Sequence, residues 1–386
     1  MESHDWLDTE CAALEQAGLR RHLRTVMSAP TGTIHLDGRD VVLLGSNNYL
    51  GLSTHPQVIT AAIEATRNFG TGASGSRLIS GNNELYTTLE ANLAKTKNTE
   101  AALVFSSGYA ANTSIIPILA SEGDLILSDA LNHASIIDGC RLSRATKKVY
   151  RHCDVEHLKA LLSESTAFRR RLIVTDGVFS MDGNIAPLPD IYEVATHYEA
   201  MLLVDDAHGF GVLGKDGSGT VAHFGLDSEG IIQMGTLSKA VGALGGYIAG
   251  SRALVELLIN KARGFIFTTG LPPATLAAAN TALDVIRSSP ELRQRLFSHA
   301  EHLKTALINL GYTLLPSETQ ILPVVLGSPQ RATNIADALL AEGVFAPAIR
   351  PPAVPPDTSR LRLAVMATHT ETEIHKAIAG FAAVIP

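Results

Sequence analysis

Cysteine is scarce in this chain. Cys11, Cys140 and Cys153 are an odd number with no CxxC spacing, which argues against the disulfide framework of small secreted domains. Aromatic residues make up only 5% of the 386 residues, with one tryptophan. No apolar run approaches the roughly 20 residues a membrane-crossing helix needs. The start, MESHDWLDTE, lacks the apolar stretch of a secretory signal. A cytoplasmic protein without a membrane partner is the expectation. Basic runs are short as well. The longest is Arg169-Arg170-Arg171, against a formal net charge of −7, so nucleic acid and anionic membrane surfaces are not the expected partners.

The composition is 46% hydrophobic and 18% charged, enough to bury a large core and more than a single small domain needs. Residues 7–27 read as an amphipathic helix, with Leu7, Cys11, Leu14, Leu19 and Leu23 recurring at helical spacing. TIHLDGRDVVLL reads as a β-hairpin turned by Asp37-Gly38. ELYTTLEANLAKT places Leu85, Leu89 and Leu93 on one helical stripe.

Short apolar runs then recur: ALVF, DLILS, RLIVTDG, MLLVDDAH, IIQMGT and GYIAG. Helical stretches such as VEHLKALLSES and LPDIYEVATHYEA separate them. This alternation predicts an α/β fold with a mostly parallel central sheet and helices on both faces. The expected organisation is an N-terminal helix and hairpin arm over 1–45, a large α/β domain over 46–270 and a small α+β C-terminal lobe over 271–386.

In such sheets ligands gather at the carboxyl ends of the strands, and polar residues accumulate there. ALVF runs into Ser107, Gly108 and Tyr109 at a helix start, where free backbone N–H groups can hold an anion. The same pattern also suits an ordinary strand-to-helix turn. MLLVDDAHG ends in Asp205, Asp206 and His208. Adjacent acids on an extended chain point to opposite sides, so one of the two is expected at the site. SDALNHAS supplies Asn132 and His133, and TDGVFSMDG supplies Asp176 and Ser180. The pairs His299/His302 and His152/His157 show no neighbouring acid or cysteine pattern, so no metal site is expected.

GTLSKAVGALGG adds one lysine, Lys239, among small residues after a fifth strand. A lysine in such a setting can react with an aldehyde cofactor when its neutral amine is available. An anion-binding helix start, a carboxylate for a pyridinium nitrogen and a lysine are the parts pyridoxal phosphate requires.

SNNYLGLSTHP, GTGASGSRLISG, SSGYAAN, DALNHASIIDG, TDGVFSMDGNIAPL, VDDAHGFGVLG, GTLSKAVGALGGYIAG and RPPAVPPDTSRLRLA occur in this order along nearly the whole chain. Through them the sequence resembles the α-oxoamine synthases, a branch of the fold-type I pyridoxal-phosphate transferases. SMDGNIAPL and AIRPPAVPPDTSRLRL look most like the biotin-pathway member. The resemblance implies pyridoxal phosphate as cofactor and a homodimer with shared active sites. The reaction it implies is decarboxylative condensation of L-alanine with pimeloyl-CoA or pimeloyl-acyl-carrier protein, giving 8-amino-7-oxononanoate. The rivals are a glycine C-acetyltransferase-like enzyme (2-amino-3-ketobutyrate CoA ligase) using glycine and a short acyl-CoA, and a non-catalytic partner subunit.

The resemblance also implies roles. Lys239 would be the Schiff-base lysine and Asp205 the partner of the ring nitrogen. His208 and Ser180 would bind the ring hydroxyl region, and His133 would lie over the ring face and act in catalysis. Ser107, Gly108, Tyr109 and Thr236 would surround the phosphate, and Thr268 and Thr269 would reach the phosphate of the neighbouring subunit. Arg21, Asn47, His133, Ala353 and Arg362 would meet substrate. Five positions depart from the family pattern: Ala353 for threonine, Ala73-Ser74 for a glycine-richer pair, Phe210 for a small residue beside the site, and Tyr86 for histidine.

Overall fold

A computed structural model describes residues 5–165 and 167–384; the first four and last two residues of the expected arm and lobe lie outside it. Its strands, numbered in chain order, are β1 Thr33–Leu36, β2 Arg39–Leu43, β3 Ala101–Phe105, β4 Leu125–Asp129, β5 Thr146–Tyr150, β6 Arg171–Asp176, β7 Met201–Asp205, β8 Ile231–Thr236, β9 Gly246–Gly250, β10 Ile321–Gly327, β11 Val344–Phe345, β12 Ala348–Ile349 and β13 Ser359–Ala364.

Two compact units form. The larger holds residues 47–180 and 184–294; the smaller holds the residues up to 46, 181–183 and those from 295 onward. The larger unit is built on a seven-stranded sheet of order β3-β9-β8-β7-β6-β4-β5. Pairing is parallel from β8 through β5, and β9 runs antiparallel to both its neighbours. The strands are apolar because both faces are covered, and alternate residues enter different cores. Ile126, Leu172, Val174, Leu203 and Met234 pack on one face with Ile115 and Leu258. Leu125, Leu127, Ile173, Leu202 and Val204 pack on the other with Leu158, Leu188 and Ile191.

The edge strand β5, TKKVY, is largely exposed. Its lysines mask it as a strand in the sequence, and they guard an open edge against pairing with other chains.

In the smaller unit β1 and β2 form the expected hairpin, with Asp37 at φ 48° and Gly38 at φ 84°, the left-handed pair a tight hairpin turn needs. β2 pairs in parallel with β11, so the N-terminal residues join the C-terminal ones rather than forming a separate arm. β10, β13 and β12 make a second sheet. Ile34, Leu36, Val41, Leu43, Leu340 and Met366 form a local core.

Two expectations change. The helix expected over 7–27 spans only Asp5–Gln16; Gly18 follows at φ 65°, a left-handed residue that ends helices, and Leu23 is fully exposed. Residues 271–294 belong to the larger unit. The helix Pro273–Ser288 packs along the helix Pro56–Phe69 there, with Leu276, Ala279, Ala282 and Leu283 buried.

Candidate active site

Strands β3, β4, β6, β7 and β8 share one direction, so their carboxyl ends lie along one edge of the sheet. The larger unit's site candidates follow from this, because each polar segment comes just after its strand. After β3, Ser107 caps the helix Gly108–Leu119, its Oγ accepting from Ala110 N at 3.0 Å. The first amides of a helix have no acceptor within it, and the helix dipole favours an anion there. Gly246 lies beneath this helix start; a Cβ on it would fall 2.5 Å from Gly108 N.

Asp205 ends β7 and is buried. Its Oδ2 accepts from Asn112 Nδ2 at 2.7 Å and its Oδ1 from Ala207 N at 3.0 Å. Asn112 Nδ2 also donates to Ser135 Oγ at 2.9 Å, which lies 2.8 Å from His133 Nδ1. A hydrogen-bonded chain therefore links Asp205 to His133. Asn112 Oδ1, buried, has no partner. Asp206 turns away to Lys97 and Thr220, the opposite pointing that adjacent acids on a strand imply.

Asp176 on β6 sits in register with Asp205 on β7. Burial, and then the neighbouring Asp205 charge, hold the Asp176 carboxyl well above the usual carboxylate range, against the His133 amide and Lys239. His133 N donates to Asp176 Oδ2 at 2.8 Å. Desolvation lowers the His133 pKa, with Asp205 opposing and Lys239 reinforcing.

Lys239 follows β8, its Nζ 2.9 Å from His208 Nε2. His208 Nδ1 lies 2.7 Å from the Tyr49 hydroxyl, which donates to Asn47 Oδ1 at 3.0 Å. Thr236 Oγ1 is buried and donates to the Gly245 carbonyl at 2.8 Å. Its single proton is thereby engaged, so the 2.7 Å contact with the exposed Ser238 takes its proton from Ser238 Oγ. Ser180 is half-buried after β6, and Tyr109 is exposed with its hydroxyl on Asp138. Thr268 is half-buried and Thr269 exposed, the latter bridging Ser76.

The structure thus gathers these residues in two hydrogen-bonded chains, Asp205–Asn112–Ser135–His133 and Lys239–His208–Tyr49–Asn47, with the charges of Asp205 and Lys239 both acting on His133. Arg21, Ala353 and Arg362 belong to the smaller unit: Arg362 is buried on β13, while Arg21 and Ala353 are exposed. Sequence reasoning missed Asn112, Ser135, Tyr49 and Ser238 as site residues. All four lie inside the quoted motifs; the partners of Asn112 and Tyr49 are 93 and 159 residues away, whereas Ser135 and Ser238 bond His133 and Thr236 two residues away. Phe210, expected beside the site, is a core residue stacked edge-on against Tyr247 at 5.1 Å.

His152, read from sequence as lacking an acid or cysteine partner, has both. Its Nδ1 is 2.9 Å from Asp129 Oδ1, and the Cys153 sulfur lies 3.7 and 3.6 Å from its two nitrogens. Asp129 comes from the end of β4, a relation no linear spacing displays.

A buried acceptor without a partner on Asn112, a buried carboxylate, an open helix start and a lysine form a donor set that suits an aldehyde phosphate with a basic ring nitrogen.

A family model for aminotransferase class I and II matches residues 39–381. The chain belongs to that family, and its architecture is the fold-type I pyridoxal-phosphate transferase fold. It is similar to 8-amino-7-oxononanoate synthase of Geobacter sulfurreducens, 51% identical over 376 residues covering 97% of this chain and 96% of that protein. It is likewise similar to 8-amino-7-oxononanoate synthase 2 of Bacillus subtilis, 47% identical over 99% of this chain and 97% of that protein. Among solved structures, the serine palmitoyltransferase of S. paucimobilis with bound PLP–myriocin aldimine superposes with a TM-score of 0.93 at 35% identity, over 99% of this chain and 97% of that one. An 8-amino-7-oxononanoate synthase from Francisella tularensis gives 0.77 at 28%, over 89% and 97%.

Proposed function

We propose that this chain is a pyridoxal-phosphate enzyme that condenses L-alanine with a pimeloyl thioester, of coenzyme A or acyl-carrier protein, releasing CO2 and thiol to give 8-amino-7-oxononanoate for biotin. The full-length similarity to enzymes of that name supports the reaction. The observation that carries the chemistry is Lys239 Nζ held 2.9 Å from His208, at the sheet edge where buried Asp205 also ends its strand.

When bound, the cofactor supplies an electron sink for charge developing at the amino acid's α-carbon. Lys239 would bind it and then take and return the α-proton. Asp205, fixed by Asn112 and the Ala207 amide, would keep a proton on the ring nitrogen. His133, tied to Ser135, would position the ring or polarise the thioester carbonyl. The amides of Gly108 and Tyr109 and the hydroxyls of Ser107, Thr236 and Ser238 would meet the phosphate, and Ser180 and His208 the ring hydroxyl. Asn47, Arg21 and Arg362 are assigned to substrate, with Arg362 suited to a carboxylate. A homodimer in which Thr268 and Thr269 reach the partner's phosphate completes the reading, and the working compartment is the cytoplasm.

The purified protein should be yellow, with a visible band that borohydride removes and that Lys239→Ala lacks. Assays with alanine, glycine and serine against several acyl thioesters decide the substrate. Preference for glycine with a short acyl-CoA would overturn the assignment. One observation favours a second reading: the serine palmitoyltransferase structures superpose over more of the chain, with TM-scores of 0.92–0.93 for the fuller matches. Serine with a long-chain acyl thioester is therefore the competitor to run in the same assay.

A further inference from the structure

We propose that Tyr49 is a positioning residue for Lys239, acting through His208: its hydroxyl, oriented by Asn47, keeps the imidazole proton on Nδ1 and so presents Nε2 to Lys239 as a proton acceptor. The proposal rests on the reading of Lys239 as the Schiff-base lysine.

The argument is a count of protons along a buried chain. Tyr49 is fully buried and His208 nearly so. A tyrosine hydroxyl has one proton, and here it is given to Asn47 Oδ1 at 3.0 Å. The 2.7 Å contact between the Tyr49 oxygen and His208 Nδ1 must then take its proton from the ring. A neutral imidazole with its proton on Nδ1 leaves a lone pair on Nε2, which is the atom 2.9 Å from Lys239 Nζ.

The other end of the chain leads to the same order. With Lys239 as the ammonium, which has three donors and no acceptor, Nε2 accepts from it. The opposite order would set two N–H groups against each other at 2.9 Å. A doubly protonated ring would add like charges to that clash. Proton order in such chains follows from the hydrogen-bond network rather than from coordinates, and here both termini agree.

The arrangement has a consequence for reactivity. Lys239 must lose a proton before its amine can act as nucleophile or base. In this geometry an Nζ–H bond breaks as an Nε2–H bond forms, giving a neutral amine and an imidazolium with total charge unchanged. The Tyr49 oxygen remains the acceptor for Nδ1–H and so holds the imidazolium in place. Asn47, assigned to substrate by resemblance, here does a different job: it fixes the direction of the tyrosine proton.

The test is the tautomer itself, read from ring 15N shifts of His208 in histidine-labelled protein, both free of cofactor and loaded with pyridoxal phosphate. His208→Asn assigns the signal. Wild-type protein free of cofactor should show the Nδ1–H form. Tyr49→Phe should lose it and slow borohydride-trapped attachment of pyridoxal phosphate to Lys239 at least tenfold, with thermal unfolding close to wild type. Asn47→Ala should mix the two tautomers, and Asn47→Asp, whose carboxylate still accepts, should restore the Nδ1–H form. If Tyr49→Phe does not fold, the two Asn47 variants read the same chain. A wild-type His208 protonated on Nε2 overturns the proposal, as does an unchanged tautomer and trapping rate in the folded Tyr49→Phe and Asn47→Ala variants. Because the tautomer is measured before cofactor is added, its failure is separate from a failure of Lys239 to attach cofactor at all.

Discussion

Lys97 and Asp206 form a fully buried ion pair, with Nζ 2.6 Å from Oδ2 and no exposed surface on either side chain. Lys97 also donates to the Ser218 carbonyl, and Asp206 accepts from the Thr220 amide. The pair anchors the residue that follows Asp205. Removing one partner strands the other charge in the interior, which costs about 3–5 kcal/mol. Lys97→Ala should therefore lose stability of that order in urea unfolding, as a shift of midpoint at constant slope. A loss below about 1 kcal/mol, no more than an exposed pair contributes, would show that the surroundings accommodate the lone carboxylate.

Asn112→Leu keeps the volume but removes the donor to Asp205. A hydrogen bond to a charged group contributes about 1.5–3 kcal/mol, so cofactor retention should weaken roughly ten- to a hundredfold on dialysis. Asp205→Asn in the same assay sets the scale. Retention equal to wild type would remove Asn112 from the support of that carboxylate.

His152 is expected to make stability depend on alkaline pH. Burial alone would lower its pKa, but the bond to Asp129 and then the Cys153 contact raise it to about 10, from an ordinary value of 6.5. A group with a raised folded pKa stabilises fully below its unfolded value and loses that contribution as pH climbs through the folded one. The contribution should thus be whole below about pH 6.5 and decline from there to about pH 10. Unfolding free energies across this range should fall more steeply for wild type than for His152→Gln. Parallel curves would sink the assignment.

Gly246→Ala would place a methyl carbon 2.5 Å from Gly108 N and 2.6 Å from Gly108 Cα. Backbone atoms cannot swing aside as a flexible side chain can, so β9 and the start of the helix Gly108–Leu119 must separate. A stability loss of about 1–3 kcal/mol is expected, with reduced affinity for inorganic phosphate at the helix start. Wild-type values for both would mean that the close approach relaxes freely.

Some elements were legible because their physical cause is local. The hairpin follows from Asp37-Gly38, and the buried strands from short apolar runs ended by turn residues. The polar edge follows from residues that come straight after those runs. Other features hid because a distant residue decides them. Polar β5 reads as loop until β4 pairs with it. Leu19 and Leu23 continue a helical stripe that Gly18 interrupts. Phe210 reads as a departure beside the site, and only the fold shows its ring packed edge-on against Tyr247.

By itself the sequence determined the class of fold, the candidate reactive groups and the family, since alternation, turn chemistry and motif order are properties of neighbours along the chain. Only the tertiary structure decided how those groups are supported. Asn112 steadies Asp205, Tyr49 meets His208, Asp176 aligns with Asp205 and Asp129 meets His152, although 23 to 159 residues separate the partners along the chain. Hydrogen bonds and charge interactions act through space over a few ångströms, and which residues come that close is set by strand order and register.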